Sequence, residues 1–346
     1  MSLRWGILGT GNIATTFANG LKQSPLNSLV AIGSRSDASA QAFGQAFGVT
    51  KAACYGTYDA LLADPNVDIV YIATPHPQHC ELAIKTAKAK KHMLVEKPMA
   101  MNEREVQLIL DAAKENDVFL MEAYMYRCHP QTQKAAEMIK QGVVGEVKLV
   151  KASFSFEGYS LGPSSRLWRN ELGGGALMDI GGYPLSWARL IAGAAQGSSP
   201  LHPTILKGVG NVQKDTQVDE WAMASLGFEN KIGAQLFVGV FADADCSVEV
   251  VGTKGTLRVP NLWRPDLAVL GPTQIEVSEH GKAAAITPIV LEQTNLFTFE
   301  AEAVAKAVLS GKKECDFMTW EDSLSQVRSM DQWRKEIGLV YSADKQ

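Results

Sequence analysis

The chain has 346 residues, long for a single hydrophobic core and suited to two domains. Its 33 Lys and Arg against 37 Asp and Glu leave a net charge of -4 without long runs of one sign, which speaks against nucleic acid or an anionic membrane and for a small-molecule partner. Cys54, Cys80, Cys128, Cys246 and Cys315 are scattered without Cys-x-x-Cys spacing, and no apolar run reaches the roughly 18 residues of a membrane span, so a cytoplasmic protein in a reducing compartment is expected.

From Leu3 to about Leu120 short apolar runs alternate with amphipathic stretches, the rhythm of a parallel sheet covered on both faces. Strands are expected at Leu3–Leu8, Leu29–Gly33, Ile69–Ala73, His92–Val95 and Val118–Met121. A helix is expected over Asn12–Lys22, where Ile13, Phe17 and Leu21 recur every four residues and share a face; others begin near Asp37, Thr57, His76 and Asn102. Asn102 with Glu105 three residues on has the spacing of a helix cap. Beyond about Leu149 the pattern changes to strands joined by turns: Trp221–Leu226 and Ile232–Phe237 around Glu229-Asn230, then Val248–Val251 and Thr256–Val259 around Gly252-Thr253-Lys254-Gly255. Helices are expected at Leu296–Leu309 and Trp320–Ile337. The fold class is therefore α/β: a doubly wound parallel Rossmann sheet over residues 1–124, then an α+β domain over 125–346 with a large, mainly antiparallel sheet, its closing helices free to pack back on the first domain.

Gly9-Thr10-Gly11-Asn12-Ile13-Ala14 places G-x-G-x-x-A between the first strand and first helix, where Gly9 permits the tight turn, Gly11 leaves room for a pyrophosphate and Ala14 lets helix and strand approach. Free amides and the positive helix end then face the phosphates. An Asp or Glu normally ends the second strand and binds the adenosine ribose, but here the chain reads Gly33-Ser34-Arg35. A hydroxyl and a guanidinium suit a 2′-phosphate, so NADP is expected over NAD. Arg35 stacking on adenine or facing solvent, with nearby Asp37 as a competing acid, is the alternative reading.

Two loops follow later strands at the same edge: Thr74-Pro75-His76-Pro77-Gln78-His79 and Glu96-Lys97-Pro98. Carboxyl ends of parallel strands face the cofactor crevice, which places Lys97 near the reacting carbon, although a lone loop lysine is commonly only a solvated charge. No set of His, Cys and carboxylates has metal-ligand spacing.

The Gly9–Ala14 turn, Glu96-Lys97-Pro98, Gly173-Gly174-Gly175-Ala176-Leu177-Met178-Asp179-Ile180-Gly181-Gly182-Tyr183 and Gly252–Gly255 occur in an order that resembles the Gfo/Idh/MocA oxidoreductase superfamily. Thr74–His79 and Met121-Glu122-Ala123-Tyr124-Met125-Tyr126-Arg127 are most similar to its dihydrodiol and NADP-dependent D-xylose dehydrogenase branch. The resemblance implies hydride transfer between a nicotinamide and a CH–OH or C=O carbon of a sugar, polyol or dihydrodiol. It implies Lys97 as the active-site lysine, Asp179 and Tyr183 as second-domain partners, and Thr74, Pro75, His76, His79 and Glu96 at the cofactor. Many members carry histidine where this chain has Tyr183, which points to tyrosine-based proton transfer with the Lys97 ammonium favouring phenolate, in either assignment of the two roles. Asp179 would bind a substrate hydroxyl or orient Lys97, or else cap a helix start. Arg127 and Trp168 are expected at the substrate, with Arg166 and Arg169 as weaker candidates. A cyclitol or anhydro-sugar enzyme and a noncatalytic NADP sensor are the competing readings. Apolar residues on both faces of Leu236–Phe241 imply a homo-oligomer, a homodimer in its simplest form or a higher assembly.

Overall fold

The apolar runs of the first half pair side by side into a six-stranded parallel sheet: β1 Leu3–Leu8, β2 Asn27–Gly33, β3 Cys54–Tyr55, β4 Ile69–Ile72, β5 His92–Glu96 and β6 Leu120–Ala123, in the order β3-β2-β1-β4-β5-β6. The computed structural model describes residues 2–267, 273–291 and 295–345. Burial on both faces explains the lack of polar alternation, and all four residues of β4 are fully buried. The helices are α1 Asn12–Leu21, α2 Asp37–Phe47, α3 Tyr58–Leu62, α4 His79–Lys88 and α5 Glu103–Asn116. Phe17 of α1 stacks on Tyr71 of β4 with ring centroids 3.9 Å apart. Asn102 caps α5 by accepting the Glu105 amide at 3.0 Å, and Ser36 and Thr57 cap α2 and α3 in the same way.

The chain divides into two compact units, residues 1–128 with 295–324 and residues 129–294 with 325–346. The helix Leu296–Leu309 is part of the first unit and lies close against α1, where Thr298 Oγ1 donates to the Gly20 carbonyl at 2.8 Å. A Cβ on Gly20 would come within 2.9 Å of Phe297 Cβ, so the glycine permits this approach.

The second unit carries an eight-stranded sheet: β7 Val147–Ser155, β8 Ile205–Val212, β9 Asp219–Gly227, β10 Gly233–Gly239, β11 Val248–Gly252, β12 Gly255–Val259, β13 Gln274–Glu279 and β14 Ala285–Pro288. Its order is β14-β13-β12-β11-β7-β10-β9-β8, antiparallel throughout except for the β7–β10 pair. Along β9 Ala222, Ala224 and Leu226 point inward while Met223 is exposed, the period of two expected of a sheet with one covered face. The helix Gly182–Ala194 covers that inner face, burying Leu185, Trp187 and Ile191 completely. Strands β3, β7, β8, β13 and β14 and the helices Pro130–Lys140 and Gly182–Ala194 have no counterpart in the sequence reading: β3 is two residues long, and β14 is largely exposed and has no buried stripe.

Candidate active site

The strand order reverses direction at β1 and β4, and register aligns the loops that follow. Leu8 pairs with Ile72 and Gly33, and Ile72 pairs with Val95, so Thr10, Thr74, Arg35 and Lys97 each lie two residues beyond one common edge. That edge is where doubly wound sheets bind nucleotides. Gly9 has φ +105°, and a Cβ there would lie 2.6 Å from the Ala73 carbonyl oxygen, so only glycine fits the turn. A Cβ on Gly11 would meet nothing within 4 Å, while Ala14 is fully buried. Gly11 also heads α1, which has no acidic residue in its first turn and no side-chain cap, leaving its amides for an anion. Thr10 is half-buried, Asn12 exposed and Ile13 half-buried. The Thr74 hydroxyl is buried without a hydrogen-bond partner among the described residues. These residues fit a dinucleotide.

At the β2 end Ser34 is buried and Arg35 exposed, and the Arg35 charge reaches the Tyr58 phenol. Asp37 lies against Gly56, where a Cβ would overlap its carboxylate.

Lys97 is half-buried and joined to Pro98 by a cis peptide. Its amide donates to Glu96 Oε2 at 3.1 Å, and Tyr71 donates to Glu96 Oε1, so the Glu96 carboxylate is turned into the protein to hold the loop. Burial pushes the Glu300 carboxyl well up, reinforced by the charge of Glu96. His79, expected at the cofactor, lies between the two loops. Its ring is fully buried, with Nε2 2.8 Å from the Thr74 carbonyl and Nδ1 2.9 Å from the Pro98 carbonyl, so it ties the two loops together. His76 packs edge-on against that ring at 5.8 Å and is likewise buried.

Arg127, expected at the substrate, belongs to the first unit. It is buried and paired with Asp322 at 2.8 Å. Sequence gave no warning, because its partner lies 195 residues away.

In the second unit the glycine-rich motif forms a π-helical turn, Leu177–Gly181, that runs into the helix Gly182–Ala194. Asp179 does not cap it; Asp179 Oδ1 accepts from Arg166 at 2.5 Å. Tyr183 is buried among aromatic rings, edge-on to Phe154 at 5.3 Å and to Trp263 at 5.9 Å. Trp168 is buried and stacked on Tyr159 at 4.8 Å, while Arg169 pairs with Glu171. Sequence reasoning missed Arg264. Asp266 holds that guanidinium by two hydrogen bonds of 2.9 Å, and Arg264 lies within electrostatic reach of the Tyr183 phenol, where its positive charge favours phenolate. Trp263 of the same turn donates to the Ser153 carbonyl at 2.7 Å, which fixes the turn beside Tyr183. The described residues hold no cluster of His, Cys and carboxylates suited to a metal.

The fold and these loops define a two-unit oxidoreductase with a nucleotide-binding parallel sheet. The model of the oxidoreductase family with an NAD-binding Rossmann fold, Gfo/Idh/MocA, matches residues 3–124, and that of the Gfo/Idh/MocA C-terminal domain matches residues 132–258. The chain belongs to the Gfo/Idh/MocA oxidoreductase family. It is 37% identical over 351 residues to trans-1,2-dihydrobenzene-1,2-diol dehydrogenase of Danio rerio and 32% identical over 353 residues to that of Mus musculus, with 100% of both chains covered in each case. A 3-ketoreductase from Actinomadura kijaniata, solved with NADP and TDP-benzene, is 28% identical with a TM-score of 0.83, covering 97% of this chain and 98% of that one. An aldose-aldose oxidoreductase from Caulobacter crescentus, at 23% identity and a TM-score of 0.86 over 97% of each chain, shares the fold.

Proposed function

We propose that this oxidoreductase uses NADP to interconvert a secondary alcohol and a carbonyl on a sugar, polyol or trans-dihydrodiol. The observation that carries the reading is the aligned set of loops at one sheet edge, in which Ser34-Arg35 replaces the ribose-binding acid and Lys97 stands level with Thr10 and Thr74. Full-length similarity to dihydrodiol dehydrogenases supports the substrate class. NADP, when bound, supplies the hydride acceptor or donor; Gly9–Ala14 hold its pyrophosphate and Ser34-Arg35 its 2′-phosphate. Tyr183 takes the proton from the substrate hydroxyl, or returns it in reduction, and Lys97 favours its phenolate and polarises the substrate oxygen. Asp179, held by Arg166, binds a substrate hydroxyl, and the Trp168 ring contributes an aromatic wall.

Initial rates with NADP across pentoses, hexoses, inositols and trans-dihydrodiols test the substrate class. Tyr183→Phe and Lys97→Met should each lower kcat by about 100-fold or more while leaving the KM for NADP within about 3-fold, and near wild-type turnover in both refutes the proton chemistry. Arg35→Ala should reduce the NADP-over-NAD preference in kcat/KM by roughly 10-fold or more; an unchanged ratio overturns the 2′-phosphate role.

A homodimer is part of the proposal. Ile205, Val209 and Met223 lie exposed on one face of β8 and β9, and apolar side chains on an open sheet favour a self-complementary contact. A monomer in sedimentation equilibrium overturns it. No helix among the described residues is long and apolar enough to cross a membrane, and five free cysteines suit a cytoplasmic setting, which fractionation of the native host would test.

A further inference from the structure

The segment that carries Asp179 and Tyr183 begins at a turn whose geometry is set from a different part of the chain. Gly174 and Gly175 are buried, and Gly175 has φ +94°. Asp219, the first residue of β9, lies directly beneath them. Its carboxylate is fully buried, its Oδ2 accepts the Leu177 amide at 2.8 Å, and a Cβ on Gly175 would overlap its Oδ1. Oδ1 has no hydrogen-bond partner among the described residues. From the other side the Tyr341 hydroxyl donates to the Gly174 carbonyl at 2.5 Å. The turn is thus gripped by a carboxylate from β9 and a phenol from the C-terminal segment.

A buried carboxylate with one unsatisfied oxygen is a costly way to accept a single amide hydrogen bond. The first amides of a helical segment need an acceptor, no side chain caps Leu177–Gly181 from its own N-cap position, and Asp179 accepts from Arg166. Asp219 therefore supplies, from the start of β9, the acceptor for the Leu177 amide. π-turns of this kind recur at functional sites, where they re-aim side chains within a helix.

We propose that Asp219 is a positioning residue for the reaction, anchoring the Leu177 amide so that Asp179 and Tyr183 are presented at fixed orientation from the π-turn. This rests on the reading that Asp179 and Tyr183 meet the substrate. The anchor is strongest when Asp219 is ionised, since charge-assisted hydrogen bonds are shorter and stronger. Burial pushes the Asp219 carboxyl up to about 7, with the Leu177 amide opposing. The ionisable group facing it is Tyr341, whose phenol also feels Arg334, Asp344 and Asp179. The grip on the turn consequently strengthens as pH rises through neutrality.

Three chains, wild type, Asp219→Asn and Asp219→Ala, test this by amide hydrogen exchange of residues 173–183 and by turnover of trans-1,2-dihydrobenzene-1,2-diol with NADP. Asp219→Ala should exchange the Leu177 to Gly181 amides at least about 10-fold faster and lose about 10-fold or more in kcat, with the KM for NADP within about 2-fold. Asp219→Asn keeps an acceptor and should recover most of both, while abolishing the change in exchange protection that wild type shows across pH 7. Wild-type exchange and kcat in Asp219→Ala, or an Asn variant as impaired as the Ala variant, overturn the proposal. Should Asp219→Ala fail to fold, the Asn variant decides through its exchange: a retained pH step at about 7 overturns the anchor and a lost one supports it. Tyr183→Phe assayed alongside separates the two readings. If it keeps full turnover, the catalytic reading fails while the exchange result still judges Asp219.

Discussion

The Arg127 guanidinium and the Asp322 carboxylate meet at 2.8 Å with only 3% and 2% of their side chains exposed. The pair joins the short helical turn Met125–Cys128 to the first turn of the helix Trp320–Ile337, and both residues belong to the first unit. Each charge depends on the other for its place out of water.

Removing one partner strands the other. Arg127→Ala is expected to destabilise the protein by about 3–5 kcal/mol in urea unfolding, because a buried carboxylate is left uncompensated. The double variant Arg127→Met with Asp322→Leu should recover most of that loss. If Arg127→Ala kept full stability and instead raised the substrate KM, the guanidinium would be a ligand after all.

Gly9 and Gly11, two residues apart in one turn, should respond in opposite ways. Gly11→Ala places its methyl in open space at φ -81°, so folding stability should fall by no more than about 1 kcal/mol, while NADP affinity falls by roughly 10-fold or more as the methyl enters the phosphate site. Gly9→Ala meets the Ala73 carbonyl at a positive φ and should lose stability first. Fluorescence titration with NADPH and thermal unfolding separate the two effects. Unchanged affinity in Gly11→Ala would place the pyrophosphate elsewhere.

His129 caps the helix Pro130–Lys140 by accepting the Gln131 amide on Nδ1 at 3.2 Å, a bond only the neutral ring can accept. Burial lowers the His129 pKa to about 4, with Asp266 opposing. A folded-state pKa below the unfolded value makes its contribution complete above about pH 6.5 and lost as pH falls toward 4. Asp219 works in the other direction: its raised pKa makes stability fall as pH rises from about 4 to 7. One proton each over the shared range gives opposing slopes of about 1.4 kcal/mol per pH unit. His129→Asn, which can still cap, should therefore tilt the stability curve downward with rising pH between about 4 and 6.5, relative to wild type. A curve parallel to wild type in urea titrations across that range refutes the assignment.

Most of the first unit was legible in order along the chain. β1 and the helix Leu296–Leu309 run over the expected residues, and Asn102 caps α5 through Glu105 N, because period and capping are local properties that few neighbours suffice to set. The cofactor turn was legible for the same reason: Gly9 and Gly11 answer to backbone geometry within one strand-turn-helix unit. The second unit was less so. β7 lies at the centre of its sheet, yet its pattern of buried and exposed residues is irregular, and β13 and β14 carry charged or exposed residues that no alternation marks.

By itself the sequence determined the class: a parallel nucleotide-binding sheet with its phosphate turn, a mainly antiparallel partner, and the ordered motifs that mark the family. Only the tertiary structure decided which charged and polar residues are free for chemistry. Arg127 pairs with Asp322, His79 lies between two carbonyls and Asp179 accepts from Arg166, while Asp219 accepts the Leu177 amide at the helix start. Such pairings span up to 195 residues and depend on burial, which makes an unmatched charge or donor too costly to leave alone; no local pattern carries that information.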